Sequence, residues 1–172
     1  AVVELGLKYA RGQIAGTAAR CMALLLTIKR VLVDFECSPS TLLFRDFNLK
    51  AIIHFLVRCR PPMAIAMGNV VNYLKFVLSE TKAMSNQEAK AHVADQIDRY
   101  LSERIVVAGS MIAAQASEKI QDGDTVLTFA RSHSIECALR EAHDAGKCFT
   151  VVVVDAAPAH DGRQLLKRLV KH

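Results

Sequence analysis

The chain has 172 residues, of which 52% are hydrophobic and 23% are charged, with a formal net charge of +5. This composition excludes wholesale disorder, because it supplies enough apolar side chain for a packed core. Basic and acidic residues are intermixed and no apolar run is long enough to span a bilayer, so we expect neither direct binding to DNA nor a membrane segment.

Five cysteines are dispersed along the chain, with no CxxC pair and no Cys/His spacing typical of a metal site. Such a pattern predicts reduced, buried thiols in a reducing compartment, here the cytoplasm. No metal and no cofactor is expected.

The first part of the chain, from Val2 to about Phe35, has apolar residues at helical spacing. Gly12 and Gly16 interrupt the pattern, which predicts either two helices or one helix with a break. The segment Ser38-Pro39-Ser40 is typical of a turn.

Two further helices are predicted next, from about Leu42 to Cys59 and from Met63 to Leu78. The first must end near Arg60, because Pro61 and Pro62 disfavour helical geometry in the residues before them.

A long helix then follows Ser85. Ser85 and Glu88 have the spacing of a capping box, in which each side chain binds a free backbone N–H of the other residue. The apolar pattern behind them continues towards Lys119.

The apolar period changes after the turn Asp122-Gly123-Asp124. Strands and helices alternate at a spacing that predicts parallel strands with right-handed crossovers. The valines from Val151 to Val154 are apolar on both faces, as in a strand buried under helices. The predicted elements are Thr125–Phe129 (strand), Ser132–Ala145 (helix), Cys148–Asp155 (strand) and Gly162–His172 (helix).

We therefore predict an α/β fold with an N-terminal α-helical domain, residues 1–118, and the first βαβα portion of a doubly wound parallel-sheet domain, residues 119–172. Two parallel strands leave edges unpaired, so we expect the chain to be truncated within this second domain.

The first candidate site is the turn from Thr128 to Ser134, which follows a strand and opens a helix. Backbone N–H groups at such a place can hold an anion, with Ser132 and His133 as added donors. An ordinary N-cap by Ser132 or Ser134 is the alternative, because the turn lacks glycine. His133 and Asp155 also allow an acid–base pair at the sheet edge, against a plain surface role.

Basic residues in the helical half are the second candidate site. Arg60 either satisfies helix C-terminal carbonyls or, held rigid by Pro61-Pro62, binds an anion. The same alternatives apply to Arg20, and Arg58 and Lys75 are further candidates for phosphate or partner binding. Near the C-terminus, Arg163 belongs to a basic helical face that is either solvated or binds nucleic acid, and it is a further candidate for phosphate or partner binding.

Four segments in series carry a family pattern: Ile14–Cys21, Cys59–Asn69, Ser117–Thr128, and Val151–Asp155 with Asp161–Arg163. In this order they resemble the regulatory subunits of translation initiation factor 2B, a guanine-nucleotide exchange factor, with delta-like members most similar. The resemblance covers nearly the whole chain. It implies a helical N-terminal domain and a Rossmann-like C-terminal domain, in agreement with the elements predicted above.

The same superfamily contains sugar-phosphate isomerases such as methylthioribose-1-phosphate isomerase. The resemblance implies that Arg60 corresponds to an arginine that binds substrate phosphate, and that Ala130 stands at the position of the catalytic cysteine. Arg163 matches the arginine of a further family element, whereas Ala157 replaces an arginine in another. Since alanine offers neither a nucleophile nor a titratable proton, the resemblance implies that the chain is not an enzyme.

The implied function is that of a non-catalytic regulatory or scaffold subunit that helps sense phosphorylated initiation factor 2. The implied partners are beta-like and alpha-like subunits of the exchange factor and initiation factor 2 itself. Two alternatives remain open from the sequence: a sugar-phosphate isomerase, and a module that binds a sugar phosphate or nucleotide without turnover.

Overall fold

The computed structural model describes residues 1–36 and 47–172, which form two compact units, Ala1–Ser102 and Glu103–His172. The first unit is helical, and the second contains a two-stranded parallel sheet with helices, which confirms the predicted α/β class. The predicted domain boundary at residue 118 stays a prediction. Across the described residues, no helix combines the length and apolarity needed to cross a membrane.

The helices of the first unit begin and end close to the predicted positions. Gly12 and Gly16 have φ angles of 67° and 87° and lie between the first two helices. Of the two predicted alternatives, two separate helices is therefore the correct one. The elements are α1 (Val2–Ala10), α2 (Thr17–Asp34), α3 (Leu49–Cys59), α4 (Ile65–Glu80) with a 3₁₀ turn at Thr81–Ala83, and α5 (Asn86–Arg99).

Helix α3 begins later than predicted. Phe47 and Asn48 are not helical, and the Asn48 side chain accepts a hydrogen bond of 3.1 Å from the Ala51 N–H as an N-cap. Residues 42–46 of the predicted helix and the turn predicted at Ser38-Pro39-Ser40 lie outside the described residues.

The core of the helical unit lies where α2 packs against α1, α4 and α5, and where α3 packs against α1. Its large side chains are almost fully shielded from solvent, and each contributes roughly 1.5–3 kcal/mol by burial. These side chains are Tyr9, Leu24, Leu25, Ile28, Leu32, Leu56, Val70, Leu74, Val77 and Ile97.

The predicted capping box at the start of α5 is confirmed. The Ser85 N–H donates to Glu88 Oε2 at 2.9 Å, and the Glu88 N–H donates to Ser85 Oγ at 3.3 Å. The helix continues through a π-helical segment, Tyr100–Val107, into α6 (Ala108–Lys119). The predicted extent to Lys119 is thus correct, but the change to π-helical hydrogen bonding was not predicted.

The second unit contains the predicted alternation of strands and helices. Its elements are β1 (Thr125–Phe129), α7 (His133–Asp144), β2 (Thr150–Val154) and α8 (Asp161–Leu169). The strands are parallel, as predicted, with Thr125 opposite Thr150. The buried residues Ile120, Leu139 and Ala142 form the core, against which Val126, Phe149, Val151 and Leu169 pack.

One face of the sheet is exposed. Leu127, Phe129, Val152 and Val154 have exposed fractions of 69%, 65%, 42% and 42%. The expectation that both faces of Val151–Val154 are buried is therefore wrong for the described residues. The physical reason is that α7 and α8 contribute Leu139, Ala142 and Leu169 to the opposite face only.

The described cysteines are free thiols, but most of them are not buried as predicted. Cys21 lies in the core, Cys59 and Cys137 are partly buried, and Cys148 is exposed. Cys21 and Cys148 differ in burial because Cys21 lies on the inner face of α2, whereas Cys148 lies in the turn before β2. Cys37 lies outside the described residues.

A substitution at Gly6 tests the close approach of α1 and α3. A Cβ atom there would lie 2.7 Å from Phe55 Cε1 and 2.9 Å from Cys59 Sγ. We expect Gly6→Ala to lower the free energy of unfolding by about 1–2 kcal/mol, because overpacking outweighs the gain in helix propensity. Urea unfolding followed by circular dichroism measures this change.

Gly109 in α6 is the matched control, because a Cβ atom there meets nothing within 4 Å. Gly109→Ala should raise the free energy of unfolding by about 0.5–1 kcal/mol. An equal gain at both glycines would contradict the packing described for α1 and α3.

Candidate functional site

Arg20 and Arg60 are brought together in the helical unit, although 40 residues separate them. Arg20 lies in the first turn of α2, with a side chain only 9% exposed, and its Nη2 donates to the Arg60 carbonyl at 3.3 Å. Arg60 follows the last residue of α3, and its Nη1 donates to the Ile14 carbonyl at 2.9 Å. Both predicted arginines therefore donate hydrogen bonds to backbone carbonyls that lie at a helix end or in a loop and have no helical partner.

Tyr9 completes this arrangement, which we call the arginine clasp: Tyr9, Ile14, Arg20 and Arg60. The Tyr9 hydroxyl donates to the Arg20 carbonyl at 2.6 Å, and the Arg20 guanidinium lies 5.4 Å from the Tyr9 ring centroid. Burial raises the pKa of Tyr9 to about 12, while the nearby Arg20 charge opposes that rise. Arg20 Nε is buried and has no hydrogen-bond partner within the described part of the chain.

Arg58 and Lys75 have a different setting, because both side chains are exposed. Arg58 lies in the last turn of α3, and Lys75 lies on the outer side of α4. Among the described residues, no hydrogen bond or ion pair joins either of them to the arginine clasp. The four predicted basic residues thus divide into two that hold the fold and two that face solvent.

In the second unit, the strand ends lie at one edge of the sheet because the strands are parallel. The Ala130 N–H donates to the Val154 carbonyl at 2.8 Å, and Ala130 has a left-handed φ of 54°. Ala130 is therefore held at this edge by the backbone. Its methyl group supplies no nucleophile.

Ser132 and His133 are exposed at the start of α7. Ser132 occupies the N-cap position, one of the two positions predicted, but its side chain makes no capping hydrogen bond. The His133 ring contacts Cys137, whose Sγ lies 3.8 Å from Nδ1 and 3.7 Å from Nε2. Nearly equal distances to both ring nitrogens indicate a contact with the ring and not a single directed hydrogen bond.

Asp155, at the end of β2, pairs with His160 and not with His133. Asp155 Oδ2 lies 3.2 Å from His160 Nδ1, and Oδ1 accepts the Gly162 N–H at 2.8 Å. Burial acts to raise the pKa of Asp155, but hydrogen bonds from the Gly162 and Ala156 N–H groups and from His160 outweigh it and lower this pKa. A Cβ atom at position 162 would lie 2.9 Å from Asp155 Oδ1, so glycine permits this contact.

Arg163 is exposed on α8, and the next residue, Gln164, contacts the turn that follows β1. Arg131 Nη1 donates to Gln164 Oε1 at 3.0 Å, which joins the turn before α7 to α8. The structure thus places Ser132, His133 and Arg163 near the same sheet edge without a hydrogen bond among the three in the described part.

Glu136 is a buried carboxylate that the sequence analysis missed. Its side chain is only 3% exposed, and Oε1 lies 3.0 Å from Arg140 Nη2 and 2.8 Å from Arg168 Nε. The group links α7 to α8, and Arg140 Nη2 also donates to the Arg168 carbonyl at 3.2 Å. The i,i+4 spacing of Glu136 and Arg140 was the only signal available in the sequence.

A comparison of Arg60→Ala with Arg58→Ala tests the arginine clasp. Arg60→Ala removes the bond to the Ile14 carbonyl, so we expect the free energy of unfolding to fall by about 1–3 kcal/mol. Arg58→Ala, two residues away and exposed, should change it by less than about 0.5 kcal/mol. Equal values for the two variants in urea unfolding would show that Arg60 does not hold the fold.

The lowered pKa of Asp155 predicts a pH dependence of stability. The charged carboxylate stabilises the folded chain at pH values above its ordinary pKa of 3.8, and this contribution is lost as the pH falls through the lower folded-state value. The difference in unfolding free energy between wild type and Asp155→Asn should therefore be constant above about pH 5 and shrink below about pH 4. Urea titrations between pH 3 and pH 7 test this; a difference that grows on acidification would refute it.

Comparisons with known proteins place these features in a family. Residues 13–172 match the initiation factor 2 subunit family. The chain is 40% identical, over 99% of its length, to translation initiation factor eIF2B subunit delta of Dictyostelium discoideum, of which it covers 28%. It is 26% identical, over 67% of its length, to ribose 1,5-bisphosphate isomerase of Methanocaldococcus jannaschii, of which it covers 35%.

A solved structure gives the same result. The crystal structure of the tetrameric eIF2B-beta2-delta2 complex from C. thermophilum superposes with a TM-score of 0.92 and 33% identity, over 99% of this chain and 56% of that chain. The chain therefore spans a little over half of that solved chain and a smaller part of the curated relatives. Because the family match extends over most of the sequence, the chain belongs to the initiation factor 2 subunit family.

Proposed function

We propose that this chain is part of a non-catalytic, delta-type regulatory subunit of the initiation factor 2B exchange factor. The observation that carries the proposal is the similarity to the delta subunit along nearly the entire chain. The proposed partners are beta-like and alpha-like subunits and initiation factor 2. The proposed location is the cytoplasm, where initiation takes place.

The chemistry of the sheet edge supports a role without turnover. Ala130 offers no thiol at the position where the family resemblance implies a cysteine in the isomerases, and Asp155 is engaged by His160 and Gly162. Arg20 and Arg60 each donate one hydrogen bond to a backbone carbonyl, so both side chains are anchored to the fold. These contacts favour a scaffold over an isomerase.

The charge of the helical unit supports a role in sensing phosphorylated initiation factor 2. Residues 1–102 contain 13 Lys and Arg against 8 Asp and Glu, whereas residues 103–172 contain 9 of each. The whole formal excess of +5 therefore belongs to the helical unit. A phosphoserine adds nearly two negative charges and three acceptor oxygens, which an excess of basic side chains attracts.

Purification of the full-length protein through an affinity tag tests the proposal. We expect beta-like and alpha-like subunits to copurify, and the assembled complex to release nucleotide from initiation factor 2 more slowly when phosphorylated factor is present. A complex assembled without this subunit is the control and should not respond to phosphorylation.

Two results would overturn the proposed function. One is a full-length protein that purifies without the other subunits. The other is a purified protein that converts an aldose 1-phosphate into a ketose, which would restore the isomerase alternative.

A further inference from the structure

Five basic side chains of the helical unit have partners within the described part of the chain. Lys8 pairs with Glu4 at 2.7 Å, and Lys29 pairs with Asp98 at 2.6 Å. Lys90 donates to the Val33 and Phe35 carbonyls at the end of α2. With Arg20 and Arg60 occupied in the arginine clasp, these cations are not available to a partner protein.

Helix α3 carries a row of basic side chains in a different state. Lys50, His54 and Arg58 follow each other at four-residue spacing, and all three are exposed. None of them forms a hydrogen bond or ion pair with any residue in 1–36 or 47–172. We call this set the α3 basic row. With a helical rise of about 1.5 Å per residue, its members lie about 6 Å apart and extend over about 12 Å.

The α3 basic row is unfavourable for the helix by itself. Lys50 lies in the first turn of α3, where the helix dipole favours negative charge. That first turn contains no acidic residue, and the described part of the chain provides no carboxylate to compensate. An unfavourable arrangement of this kind is relieved when an anionic partner binds.

The rest of α3 fixes the orientation of the row. Leu49 and Leu56 are buried, and α3 packs against α1, so the opposite face points to solvent. Phe55 lies beside His54, is 39% exposed, and contacts α1 at Gly6. The exposed face thus combines Arg58 and Lys50 with the partly exposed ring of Phe55, and arginine and aromatic residues are enriched in protein-binding surfaces.

We propose that the exposed face of α3, formed by Lys50, His54, Phe55 and Arg58, binds the phosphoserine-bearing segment of the partner factor. This inference rests on the proposed function and identifies the surface that performs it. The charge is complementary to a phosphoserine, and the row is long enough for a phosphate and one or two neighbouring acceptors. Nucleic acid is disfavoured as an occupant, because a single exposed aromatic on α3 gives no platform for successive bases.

The test uses the assembled exchange factor with the full-length subunit. Lys50→Glu/Arg58→Glu should weaken binding of phosphorylated initiation factor 2 roughly tenfold or more, and should change binding of the unphosphorylated factor by less than about twofold. The salt dependence of phosphorylated-factor binding should become shallower, a change that loss of fold would not produce. Lys50→Gln/Arg58→Gln should have an intermediate effect.

The matched control reverses two exposed lysines of the second unit, Lys167→Glu/Lys171→Glu. It makes the same change in net charge and should leave phosphorylated-factor binding within about twofold of wild type, because the effect depends on α3 and not on net charge. Equal weakening by the control would overturn the inference, as would equal weakening of both forms of the factor by the α3 variants.

The outcomes separate this inference from the proposed function. If wild-type complex prefers the phosphorylated factor and Lys50→Glu/Arg58→Glu keeps that preference, the surface lies elsewhere and the proposed function stands. If wild-type complex has no preference, the proposed function fails and the inference with it. A variant that loses binding to a single-stranded RNA probe while keeping the preference for phosphorylated factor would identify nucleic acid as the occupant and overturn the proposal.

Discussion

The exchange of hydrogen bonds between Arg20, Arg60 and the backbone is the constraint on which the helical unit depends. Arg20 reaches the Arg60 carbonyl, and Arg60 reaches the Ile14 carbonyl, so the loop before α2 and the end of α3 are held together. Tyr9 adds a third bond from α1. The two arginine donors are charged, and the Arg60 and Ile14 carbonyls lie outside the helices, so these two bonds are stronger than ordinary neutral ones.

The same constraint decides which residues can face a partner. Once Arg60 turns inward at the end of α3, Arg58, two residues before it, lies on the other side of the helix and is exposed.

Much of the fold could be predicted from the sequence, because local signals dominate it. Gly12 and Gly16 separated two helices, Pro61 ended one, Ser85 with Glu88 began another, and the strands Thr125–Phe129 and Thr150–Val154 lie within the predicted runs. These features depend on residues close together in the chain. The site was less predictable, since the carbonyl partners of Arg20 and Arg60 lie about 40 residues away. Likewise, nothing local distinguishes Glu136, a buried charge, from the solvated acids of other helices.

The exposed sheet face has a consequence for the interpretation of sequence variants. Leu127 and Phe129 project from β1 with most of their surface in water, so their side chains add little to the stability of this chain by itself. Polar replacements of these two residues will change the free energy of unfolding very little. If such replacements nonetheless impair growth or translation in a cell, the defect arises in the association of this face with the surface that covers it. A normal melting temperature is therefore no evidence that such a variant is functional.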